Sequence, residues 1–88
     1  MGSAAVSNAE LAIVVQAWGP INDPAGGGWG WYPVARIENP ASTDVAALRA
    51  EVLAIFAKME NKPASNTARL EFRSNGSVTA RAILEDLW

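Results

Sequence analysis

Only one stretch of this 88-residue chain repeats its apolar residues at helical spacing, and that limits the possible fold more than any other feature. Val45, Leu48, Val52, Ile55, Phe56 and Met59 recur at three- and four-residue steps, which places them on a single stripe of a helical wheel. One helix cannot bury its own stripe, so the remaining segments must build a surface for it, and those segments alternate or break. Ser42, Thr43 and Asp44 follow the turn signal Asn39-Pro40 and offer N-caps. Asn61 suits a C-terminal cap and Pro63 stops continuation, so the pattern predicts a helix from about 43 to 60.

The segments on either side read as strands. Leu11, Ile13 and Val15 alternate with Ala12, Val14 and Gln16, predicting a strand over 10–18. Val14 makes both of its faces partly apolar, so this strand is expected to be central or covered twice. Pro20, Asn22, Asp23, Pro24, Gly26, Gly27, Gly28 and Gly30 predict a long loop over 19–30. Residues 31–38 read as a second strand that Pro33, lacking an amide donor, places at an edge or a bulge. Residues 67–84 form a hairpin. A loop of three residues, Ser74-Asn75-Gly76, would pair Phe72 with Val78 and Leu70 with Ala80. That puts Ala68, Leu70, Phe72, Val78, Ala80, Ala82 and Leu84 on one face, with Arg69, Glu71, Arg73, Thr79 and Arg81 on the other. The expected fold is α+β, ββαββ, one amphipathic helix packed on a four-stranded, mainly antiparallel sheet. It is read as a single domain over 10–88, with residues 1–9 set aside as a disordered or non-native terminus.

Composition then restricts the chemistry. The chain has no histidine and no cysteine. It therefore lacks a side chain that titrates near neutrality unperturbed, a thiolate, and the usual ligands for zinc, copper or haem. No cofactor and no metal are expected. Half the residues are hydrophobic and the net charge is −2, which argues against disorder and against a polyanion such as nucleic acid as partner. The longest apolar run, residues 11–15, is too short to span a bilayer, so no membrane role is expected and a cytoplasmic location is the default. A domain this small without disulfides gains from a partner subunit, which makes a homo-oligomer an expectation.

Three groups of residues stand out. Trp18, Trp29, Trp31 and Tyr32 cluster around the glycine-rich segment, offering large rigid contact area beside a loop. Tyr32 and Trp31, as neighbours on a strand, must point to opposite faces, and rings that merely pack together are the plainer account of the cluster. Arg69, Arg73 and Arg81 surround Glu71 on one hairpin face and could receive carboxylates or phosphates, or simply be solvated. Ala46, Ala50, Ala54 and Ala57, with Leu53, form a second weakly apolar stripe on the helix, either a close-packing oligomer interface or ordinary helix-forming alanine. Glu85-Asp86 reads as a frayed acidic terminus. Asp23 and Glu38 have no partners at a recognised spacing, and Lys58 and Lys62 lack the apolar setting that a catalytic lysine needs.

Phe56-Ala57-Lys58, Lys62-Pro63, the run from Ala68 to Ser77, and Leu84-Glu85-Asp86-Leu87 resemble the end of YezG-like immunity proteins of bacterial polymorphic-toxin systems. In that family a helix ends in a short polar segment and a proline, passes into a hairpin with a Ser-X-Gly turn, and finishes in an acidic-Asp-Leu tail. The resemblance covers residues 55–87; the family's tryptophan after the proline is Ala64 here, and its longer N-terminal helix has no counterpart. It implies a non-catalytic protein that binds and neutralises a toxin.

Taken together, the residues point to a non-catalytic binding module acting through protein–protein contact, with an immunity-type inhibitor as one form of it and a protein partner or a second copy as its target. The alternative is a small-ligand protein in which the glycine loop closes over an aromatic molecule stacked on Trp29 or Trp31.

Overall fold

The computed structural model describes residues 11–21 and 26–88; Glu10, Asn22, Asp23, Pro24 and the terminus over 1–9 lie outside the described residues. The elements are β1 (Leu11–Ile21), β2 (Gly28–Glu38), α1 (Val45–Ala57), β3 (Ala68–Ser74) and β4 (Ser77–Leu84), an α+β ββαββ fold. The strands make one open antiparallel sheet in the order β2-β1-β3-β4. The strand made apolar on both faces by Val14 is central, and the strand carrying Pro33 is an edge.

β1 and β2 run further than their composition suggests. Pro20 pairs with Trp29 and Ile21 with Gly28, so much of the expected 19–30 loop is strand. β3 contacts β1 only as far as Ala17, so past that point β1 is paired on one side alone, where a proline is tolerated. The glycines serve the turn itself: Gly26, Gly27 and Gly28 have φ of 145°, 77° and 143°, backbone that L side chains rarely adopt.

The helix is shorter than its pattern. Asp44 caps it, accepting from the Ala47 amide at 3.3 Å. It closes at Lys58, whose amide donates to the Ile55 carbonyl at 3.2 Å, so Asn61 is not its cap. Leu48, Val52 and Phe56 are buried, Ile55 and Met59 half-buried, and Val45 at the first turn is exposed. The stripe meets three cross-strand rows on one sheet face: Ile37, Ile13, Phe72 and Ala80; Ala35, Val15, Leu70 and Ala82; Tyr32, Ala17, Ala68 and Leu84. Burying Phe56 alone contributes about 2–3 kcal/mol.

The hairpin corrects the expected register. Asn75 and Gly76, with φ of 53° and 85°, form a two-residue turn, the positive φ at both positions being what a tight hairpin requires. A shift in register past Arg73 then leaves Thr79 unpaired, so that Phe72 faces Ala80 and Leu70 faces Ala82. Thr79 Oγ1 donates to the Phe72 carbonyl at 3.2 Å across this bulge. Phe72 keeps the core face expected of it, but Val78 pairs with Arg73 and joins the arginine face.

The segment after β4 is anchored rather than frayed. Arg49 donates to the Glu85 and Asp86 carbonyls at 2.8 and 2.6 Å, the Leu87 amide donates to the Asn66 carbonyl, and Leu87 is buried. The Trp88 ring meets Phe56 edge-on with centroids 5.8 Å apart. Here the tail offers backbone acceptors, and its order comes from Arg49 and Phe56.

Candidate functional site

The face of the sheet opposite α1 gathers most of the residues singled out above. Its rows are Glu38, Ala12, Arg73 and Val78; Arg36, Val14, Glu71 and Arg81; Pro33, Gln16, Arg69 and Ile83; and finally the directly opposed pair Trp31 and Trp18. Trp29 follows two residues from Trp31 on the same strand, so it projects to the same side.

Trp29 and Trp31 reach this face because of a bulge. Val15 pairs with Ala35 and Gln16 with Pro33, which leaves Val34 unpaired and reverses the alternation of β2 from that point. Arg36 and Glu38 on one side of the bulge, and Pro33, Trp31 and Trp29 on the other, therefore share a face. Tyr32 is turned the other way and packs against the core, so the four aromatics do not line one site.

Contacts join the aromatic and arginine groups into one array. The Trp18 and Trp31 rings meet edge-to-face at 5.2 Å and 64°. Arg69 Cζ lies 5.2 Å from the Trp31 ring centroid while its Nε donates to Gln16 Oε1 at 2.6 Å. Glu71, buried although it lies on this open face, accepts from Arg73 Nη2 at 2.7 Å, from Arg73 Nε at 3.2 Å and from Arg81 Nε at 3.2 Å, with Arg69 Nη2 4.0 Å away. The Arg73 guanidinium, more than the opposing effect of burial, and then Arg81, hold the Glu71 carboxyl below the ordinary carboxylate range. Glu71 is thus fixed as an anion, and it orients its arginines much as a template would.

The charge of this face differs from that of the chain. Four of the seven Lys/Arg, namely Arg36, Arg69, Arg73 and Arg81, project here against the carboxylates Glu38 and Glu71, on a protein whose net charge is −2. Arg36 and Glu38 pair with each other at one margin. At the other margin Trp29 is 56% exposed, and Ile83 on β4 is 49% exposed. Apolar and cationic groups intermix over this open face.

Sequence reasoning had Arg69, Arg73 and Arg81 around Glu71, and the structure brings Trp18, Trp29 and Trp31 beside them. It missed Gln16, which positions Arg69. The signal was available in the alternation of β1, since Val14, Gln16 and Trp18 share the face that Ile13, Val15 and Ala17 avoid. Ala46, Ala50, Ala54 and Ala57 are exposed on the outer side of α1 and Leu53 is half-buried, apart from the tryptophan and arginine array. Among the described residues there is no enclosed cavity, no cluster of three or more potential metal-ligating side chains, and no helix long and apolar enough to cross a membrane. Comparison with protein-family models, curated proteins and solved structures returns no match.

Proposed function

We propose that this chain is a non-catalytic binding module that takes a protein partner on the helix-free face of its sheet. The observation that carries this reading is the placement of Trp18, Trp29 and Trp31 on the same surface as Arg69, Arg73 and Arg81, joined through the Arg69–Trp31 contact. Tryptophan and arginine are the residue types that dominate protein-binding energetics, because each offers large contact area with directional groups at modest entropic cost. Glu71 supports the same reading. A carboxylate whose lone pairs are engaged by Arg73 and Arg81 is a poor proton acceptor and a good organiser of donors.

The absence of an enclosed cavity among the described residues favours a protein surface over a small aromatic ligand stacked on Trp29 or Trp31 beneath the glycine loop. The immunity-type form of the reading rests on the pattern over residues 55–87. Self-association through Ala46, Ala50, Leu53, Ala54 and Ala57 would use the opposite side of the molecule and leave this face free.

The test is affinity capture from an extract of cells that make the protein natively, comparing the unaltered chain with a Trp29→Ala/Trp31→Ala variant and with an Ala50→Glu variant on the helix. The same protein should be recovered by the unaltered chain and by Ala50→Glu and lost with the tryptophans. Equal recovery by all three would overturn the assignment of the face. Retention of a small molecule in place of a protein would favour the alternative.

A further inference from the structure

The two edges of the sheet are built differently. On β2, Pro33 removes an amide and the Val34 bulge breaks the ladder, two devices that discourage another strand from pairing there. β4 ends the sheet on the other side; its own bulge at Thr79 sits near its start, and the residues beyond it, Ala80–Leu84, pair with β3 without a break and include neither proline nor lysine, while among the described residues no strand lies outside it. Most of its side chains before Leu84 are also exposed. Val78 and Ile83 are 39% and 49% exposed on the open face, and Ala80 is exposed on the helix side, where it offers no bulk to keep a neighbour away. An apolar edge with unpaired backbone groups is a template for strand addition.

Charge says what kind of strand fits. Arg81 lies at the middle of β4, has a side chain 54% exposed, and contacts Glu71 through Nε alone, which is one of its three nitrogens. Arg73 and Arg69 stand in the next strand on the same face. A second copy added edge to edge would bring this cationic face against its own image, whereas an acidic strand would complement it. We propose that β4 is a docking edge that takes an extended acidic segment of a partner protein as a fifth strand, with a carboxylate beside Arg81 and an apolar side chain beside Ile83. This rests on the protein-binding reading above and specifies the partner's contact segment.

The probe is a blocked hexapeptide alternating glutamate and valine, with its lysine–valine counterpart, read by residue-resolved amide hydrogen exchange on the full chain. The acidic peptide should slow the outward-facing amides of β4 by about tenfold or more at saturation while those of β2 stay unchanged. Arg81→Gln should weaken its binding by about tenfold, and Lys58→Gln, exposed at the end of α1 on the other side of the sheet, should leave it unaltered. The proposal fails if β4 exchange is unaffected or if the lysine–valine peptide protects it equally. It also fails if β4 is already protected in the free chain in a dilution-dependent way, which would put a second copy on the edge, or if an oligothymidylate perturbs Trp18 and Trp31 and displaces the peptide. Loss of partner capture in the tryptophan variant together with an unprotected β4 would retain the binding face and remove only this edge.

Discussion

Replacing Glu71 by Gln removes a charge from beneath three arginines while keeping the side-chain volume, and the consequence can be worked from the contacts. Glu71 accepts two hydrogen bonds from Arg73 and one from Arg81, and its side chain is 6% exposed. Bonds to a charged group contribute about 1.5–3 kcal/mol each, and making the acceptor neutral roughly halves that. Arg73 and Arg81 are 34% and 54% exposed, so both regain water when the carboxylate is lost, which reduces the net penalty. We expect Glu71→Gln to cost about 1–2 kcal/mol at pH 7, or about 4–16 °C in Tm for a domain of this size. The pH dependence gives a sharper check. Because the folded-state pKa of Glu71 lies below its unfolded value, its contribution is complete above the unfolded value and is lost as pH falls through the folded one. The gap between the two proteins in urea denaturation should therefore be full at neutral pH, begin to close below about pH 4.3, and narrow further as Glu71 itself protonates. A variant as stable as the parent at pH 7, or a gap that does not narrow in acid, would refute the claim that this carboxylate organises the arginines.

Two further substitutions test the frame that holds the face in place. Phe56→Ala removes a side chain that is 1% exposed and the ring against which Trp88 rests, so chemical denaturation should show a loss of about 3–5 kcal/mol. Gly76→Ala meets no neighbour that a Cβ would touch but places a side chain at φ 85°; thermal melts should show a loss of about 1–2 kcal/mol with the Asn75-Gly76 turn retained, and no loss would contradict the left-handed turn.

Much of the architecture was legible because each element carries its own local signal. The stripe from Leu48 to Phe56 can be satisfied only by a helix, Val14 marks a strand with two apolar faces, and Pro33 marks an edge or a bulge; the sheet uses all three as anticipated. The tail was misread for a related reason. Glu85-Asp86 looks solvated by composition, yet its backbone is held by Arg49, thirty-six and thirty-seven residues away in sequence, and no local pattern reports such a contact.

Which side chains share a surface was settled at two residues. Alternation along a strand assigns faces only while the ladder is unbroken, and Val34 and Thr79 each break it. One bulge carries Trp29 and Trp31 to the arginines and Tyr32 to the core; the other carries Val78 to the arginine face and leaves Ala80, opposite Phe72, on the helix side. Element type is written in short-range periodicity, and the sequence alone determined it here. The union of tryptophan and arginine on one face depends on where neighbouring strands can pair their backbones, and only the folded sheet decides that.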